Sequence, residues 1–64
     1  MVKINGEMLA KDGMNVADVL AEMNINPQNV AVELNEEIVP KASYGTTVLS
    51  DGDVLEVVRF VGGG

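Results

Sequence analysis

The chemistry open to this chain is concentrated in its last three residues. Histidine and cysteine are both absent from its 64 residues, which removes the commonest general base, the commonest metal ligand and the thiolate nucleophile. Ser43, Thr46, Thr47 and Ser50 carry hydroxyls, but no base is identifiable for them. Two acidic pairs remain, Glu36-Glu37 and Asp51/Asp53. The first falls at a hairpin end. The second brackets Gly52, where aspartate is an ordinary turn-former. Both pairs therefore read as structure rather than as metal ligands or an acid–base couple. A calcium loop needs several alternating oxygen donors, and a phosphate cradle needs glycines ahead of a helix; neither pattern occurs. What is left is the main-chain carboxylate of Gly64, carried on Gly62-Gly63-Gly64. A carboxylate is a poor electrophile until adenylation supplies a leaving group. The sequence holds no ATP-binding motif, so that activation calls for another protein.

Glycine has no Cβ to block approach, and three in a row form a slender lead able to thread a narrow channel. Extended, they carry the carboxylate roughly 10 Å beyond the preceding strand. Read alone, the same run also fits a frayed terminus. A chain of this length makes one small domain, expected over residues 1–61, with a flexible tail at 62–64. Ten acidic residues against four basic give a formal charge of -6, spread along the chain. That balance argues against nucleic acid, whose phosphates need a basic footprint. It suits a partner with a basic docking surface, or serves solubility alone. The longest apolar runs are a few residues, so no membrane span or signal peptide is expected and the chain reads as cytoplasmic. No cofactor and no metal are expected.

The elements that must position the tail follow from local pattern. Val2-Lys3-Ile4 alternates and meets Asn5-Gly6, a strong hairpin signal, with Glu7 to Lys11 as the return strand and Asp12-Gly13 as a turn. Asn15 reads as a helix N-cap, with Asp18 in the first turn and Met14 placed to staple against Val19 or Leu20. Val16, Val19, Leu20 and Met23 form one apolar stripe, with Ala17, Asp18, Ala21 and Glu22 facing away. Pro27 guarantees that the helix has stopped, near Asn24. Val30 to Leu34 is a strand, Asn35-Glu36 a turn, Glu37-Ile38-Val39 a short strand closed by Pro40, and Lys41 to Ser50 a connection. Asp51-Gly52-Asp53 turns into the final strand from Val54. These pieces predict an α+β fold in which one helix covers one face of a mixed sheet. The last strand is expected to be central and parallel to the first, since its near-continuous apolar run suits burial between neighbours.

In that strand Leu55 and Val57 share the core face. Val54, Glu56, Val58 and Phe60 share the other, which no second helix is available to cover. Phe60, the only phenylalanine, is a candidate docking anchor beside the tail, or a cap on the sheet edge. Arg59 would pair with an acidic group on a partner, or snorkel at the sheet rim.

Taken in order, Asn5-Gly6-Glu7, Val16 to Leu20, Val32 to Asn35 with Ile38-Val39-Pro40, Asp51-Gly52-Asp53 and Val58 to Gly64 resemble the ThiS family of sulfur carriers, within the ubiquitin-like β-grasp superfamily. The resemblance spans essentially the whole chain. It implies a four- to five-stranded β-grasp sheet and a carrier that is not itself an enzyme. An E1-like, ThiF-like enzyme would adenylate Gly64 with ATP. Sulfur drawn from cysteine by a desulfurase or sulfurtransferase would convert it to a thiocarboxylate, and a ThiG-like thiazole synthase would receive the sulfur. Gly62 and Gly63 would form the threading tail, and Phe60 and Val58 would lie in the partner interface. Related carriers serve molybdopterin, tRNA thiolation or cysteine synthesis with the same tail chemistry, and a β-grasp binding module with an irrelevant tail is the reading from another class. Asn35-Glu36 departs from the more usual Asn-Gly turn, which touches hairpin geometry and not function.

Overall fold

A two-residue type I′ hairpin turn requires positive φ at both central residues, and this chain meets that requirement twice. Asn5 (φ 49°) and Gly6 (φ 86°) join β1 (Val2–Ile4) to β2 (Glu7–Leu9), and Asn35 (φ 51°) and Glu36 (φ 70°) join β3 (Val30–Leu34) to β4 (Glu37–Val39). The computed structural model describes residues 1–60. Val61 and Gly62, Gly63 and Gly64 lie outside the described residues, as does the expected division into a domain ending at 61 and a tail. The return strand β2 stops at Leu9, earlier than the expected Lys11, because the Lys11 N–H turns back to the Leu9 carbonyl at 3.0 Å.

Helix α1 (Val16–Glu22) has every free N–H of its first turn satisfied. Asn15 is the N-cap, as its residue type predicts, and its Oδ1 accepts from the Asp18 N–H at 2.7 Å. The Val16 and Ala17 N–H groups donate to the Thr47 and Tyr44 carbonyls, both at 3.0 Å, and Val19 donates to the Asn15 carbonyl. The connection at 44–47 thus closes over the start of the helix. It leaves Ala17, expected to face away, half-buried against the core. The other end is stopped locally. Asn24 adopts φ 58°, its N–H bonds the Ala21 carbonyl, and the Ile25 N–H bonds the Leu20 carbonyl at 2.9 Å. This is a Schellman cap, with the expected apolar partners Leu20 and Ile25 both buried. The helix has thus stopped near Asn24, as expected, and Pro27 opens a short 3₁₀ turn, Pro27–Asn29.

The five strands form one mixed sheet in the order β2-β1-β5-β3-β4. β5 (Val54–Arg59) is central, parallel to β1 and antiparallel to β3, with β3 pairing along its length from Val30↔Arg59 to Leu34↔Leu55. One face carries Val2, Ile4, Val30, Val32, Leu55 and Val57 into the core, where α1 adds Val16, Val19 and Leu20. Tyr44 and Leu49, from the connection between Lys41 and Ser50, complete that core. Leu49 is carried in by two backbone bonds, from its N–H to the Met14 carbonyl and from the Gly13 N–H to its own carbonyl, both 2.8 Å. The result is the α+β arrangement that the strand and helix pattern predicts.

Candidate functional site

The strand leading to the glycine run is held on both edges by the asparagines of the two hairpin turns. On the β1 side, Asn5 Oδ1 accepts from the Val57 N–H at 2.8 Å and its Nδ2 donates to the Val57 carbonyl at 3.3 Å. On the β3 side, Asn35 Oδ1 accepts from the Val54 N–H at 2.9 Å, while the Asn35 N–H donates to the Val54 carbonyl at 2.8 Å. Each side chain stands in for a strand residue where the neighbouring ladder has turned away, so β5 keeps its backbone groups paired. Sequence reasoning treats these asparagines as turn residues only. Their second role depends on segments brought together by folding, and no local pattern reports it.

Alternation along β5 sorts its side chains as expected. Leu55 and Val57 are buried, whereas Val54, Glu56 and Val58 are exposed on the face away from α1, at 39% for Val54 and 55% for Val58. The register sets Glu56 opposite Glu33, Val58 opposite Ala31, and Ile38 of β4 opposite Glu33. Ile38 is 75% exposed and extends the apolar part of this face. Neither Ile38 nor Glu33 is among the docking residues expected from sequence, although the alternation of Val30–Leu34 turns Glu33 outward.

Phe60 and Val54 are not brought together. Six steps along the chain separate them by about 20 Å. Val54 and Glu56 share a shallow depression of about 360 Å³ with Glu33, Asn35 and Glu36. Arg59 and Phe60 instead line an open cleft of about 770 Å³ with the segment from Asn24 to Val30 that follows α1. The Phe60 N–H bonds the Asn29 carbonyl at 2.9 Å, which extends the β3–β5 pairing by one step. Its ring is 56% exposed. Lys41 approaches it, with Nζ 5.3 Å from the ring centroid. Arg59 is exposed and makes no ion pair among the described residues.

The pair Asp51/Asp53 is used structurally. Asp51 Oδ1 accepts from the Met1 amine at 2.7 Å, and Asp12 Oδ2 accepts from it at 3.0 Å. These bonds hold the amine above its ordinary pKa and the Asp12 carboxyl below the usual carboxylate value. Asp53 accepts from Asn35 Nδ2 and from the Ser50 N–H. Among the described residues no group of three or more His, Cys, Asp or Glu side chains is placed to hold a metal. No charged side chain is buried among the described residues. Burial raises the pKa of Tyr44, but its ring is core. No helix among the described residues is long and apolar enough to cross a membrane.

Comparison with known proteins agrees with this geometry. The sulfur carrier protein ThiS of Bacillus subtilis is 41% identical over 66 residues, covering the full length of both chains. A thiazole synthase of Paramagnetospirillum magneticum is 48% identical over 62 residues; these are 95% of this chain but 19% of that protein, so the chain spans about a fifth of that relative. The crystal structure of the thiamine biosynthesis protein ThiS from Geobacter metallireducens superposes with a TM-score of 0.78 at 30% identity, covering 98% of this chain and 97% of that one. The ThiS family model matches residues 1–64, and the chain belongs to this family of β-grasp sulfur-carrier proteins.

Proposed function

We propose that this carrier holds sulfur as a thiocarboxylate on Gly64 and delivers it for thiazole synthesis. The observation that supports the reading is β5: in a member of the ThiS family, the central strand, clamped on both edges, is the one that leads into Gly62-Gly63-Gly64. An E1-like, ThiF-like enzyme would bind the exposed face and receive the glycine run in its ATP site. The Gly64 carboxylate oxygen attacks the α-phosphorus of ATP, and pyrophosphate leaves. The terminal sulfur of a persulfide, formed from cysteine by a desulfurase or sulfurtransferase, then attacks the acyl carbon and AMP leaves. A second thiol, such as that of excess cysteine, cleaves the resulting acyl disulfide by thiol–disulfide exchange and frees the thiocarboxylate. A ThiG-like thiazole synthase takes the sulfur. The carrier's own contribution is presentation: Val54, Glu56, Val58, Arg59 and Phe60 for docking, and Gly62 and Gly63 for reach. The thiazole pathway is favoured over other carrier pathways because a protein named thiazole synthase contains a segment 48% identical to nearly all of this chain.

The test is the intact mass of the chain after incubation with ATP, a ThiF-like enzyme, a cysteine desulfurase and cysteine. The expected result is an exchange of one oxygen for sulfur, localised to Gly64, absent without ATP and absent when Gly63-Gly64 is deleted. An unchanged mass, with the same enzymes active on another carrier, rejects this activator. Thiamin synthesis sustained by the deletion variant rejects the carrier reading altogether and leaves a binding module.

A further inference from the structure

Lys41 makes two contacts at the end of β5 from which the glycine run departs. Its Nζ donates to the Val30 carbonyl at 3.3 Å and lies 5.3 Å from the centroid of the Phe60 ring. Val30 is the residue paired with Arg59. One side chain therefore ties the turn Lys41–Ser43 both to the start of β3 and to the ring just past β5. The Phe60 backbone is already fixed by its bond to Asn29, which leaves the ring torsions as the freedom still to be restrained. A ring 56% exposed has little packing to restrain them. A cation within about 6 Å of a ring face is attracted by the ring quadrupole, which at an exposed site is worth about two- to fivefold in population.

The charge arrangement makes this contact informative. The chain has ten acidic residues, and Lys11 takes one of them, Glu22, as its partner at 2.6 Å. Lys41 makes no ion pair among the described residues. Its charge is directed to a carbonyl and an aromatic face.

We propose that Lys41 is a positioning residue, holding the Phe60 ring in the orientation used for docking to the adenylating enzyme. The inference rests on the reading of Phe60 as a docking anchor and names what sets that anchor. Ordering the ring in the free carrier removes a cost from binding.

Two variants separate charge from bulk: Lys41→Met keeps the stem and loses the cation, and Lys41→Arg keeps both cation and donor. In the free protein, NMR should show the Lys41 ε-methylene protons shifted upfield by the ring, with the shift lost in Phe60→Leu. In calorimetric titration with the purified ThiF-like enzyme, Lys41→Met should weaken binding about two- to fivefold. Lys41→Arg should restore it, and Lys41→Met should add nothing in a Phe60→Ala background. The same loss in both backgrounds overturns the proposal, because Lys41 then acts through Val30 or touches the partner directly. No loss in the wild-type background, or no upfield shift, overturns it equally. If the wild-type chain fails to bind the enzyme, the docking reading falls and the positioning role with it, while the NMR shift still decides whether Lys41 orders the ring. Thermal melts of each variant keep loss of fold apart from loss of docking.

Discussion

Replacing Phe60 by alanine tests the docking surface most directly, and the structure bounds the outcome. The ring is 56% exposed in the free carrier. An aromatic side chain of this kind offers 150–250 Å² in all, so on the order of 100 Å² remains for a partner to cover. At about 25 cal/mol per Å², full coverage is worth about 2.5 kcal/mol, roughly 70-fold in affinity; half coverage is worth roughly tenfold. The part already buried, on the order of 80 Å², contributes at most about 2 kcal/mol to folding, and the alanine variant should remain folded at moderate temperature. Calorimetric titration against the adenylating enzyme measures the first quantity, and circular dichroism melts measure the second. A Phe60→Leu variant should fall between wild type and alanine, because leucine restores apolar area without the ring. Binding within twofold of wild type for a folded Phe60→Ala variant would refute the anchor and move the interface toward Val54, Glu56 and Ile38.

Two further outcomes follow from the fold. Glu36 sits at φ 70°, a left-handed conformation that L side chains adopt at a cost, whereas the equivalent turn position on the first hairpin is Gly6. Glu36→Gly should therefore stabilise the carrier by about 0.5–1 kcal/mol, after the added chain entropy of glycine, and raise the melting midpoint by about 2–8 °C; an unchanged or lower midpoint would sink this account of the turn. Tyr44, the only tyrosine in a chain without tryptophan, gives a clean pH readout. Burial raises its folded pKa above the usual tyrosine value of about 10. Below that value both states hold the proton and stability is undiminished. Above it the unfolded state ionises first, so stability falls as pH rises toward the folded pKa. Near-ultraviolet absorbance should show tyrosinate appearing above the usual value and together with the loss of helical dichroism; ionisation at the usual value in a folded chain would contradict the burial.

The parts of the fold governed by neighbours in sequence were readable in advance. Asn5-Gly6 needs only its own backbone freedom to turn. Asn15 needs only the N–H three residues on. The faces of β5 follow from strict alternation, which is why Leu55 and Val57 are buried while Val54, Glu56 and Val58 are exposed. Ala17 shows the limit. It is covered by a segment that joins the helix only after the chain has folded. Asn24, near which the helix is expected to stop, ends it through a left-handed conformation that asparagine tolerates.

By itself the sequence determined the chemical inventory and the local geometry: no histidine, no cysteine, a glycine run after an apolar strand, and turns and a cap where residue type sets φ or supplies an acceptor. Tertiary structure alone decided that Asn5 and Asn35 grip β5, that Tyr44 and Leu49 enter the core, and that Lys41 lies beside Phe60 while Val54 lies far from it. The division has a physical cause. Torsional preference and capping act over a few residues, whereas these contacts exist only once strand pairing has brought distant segments of the chain into register.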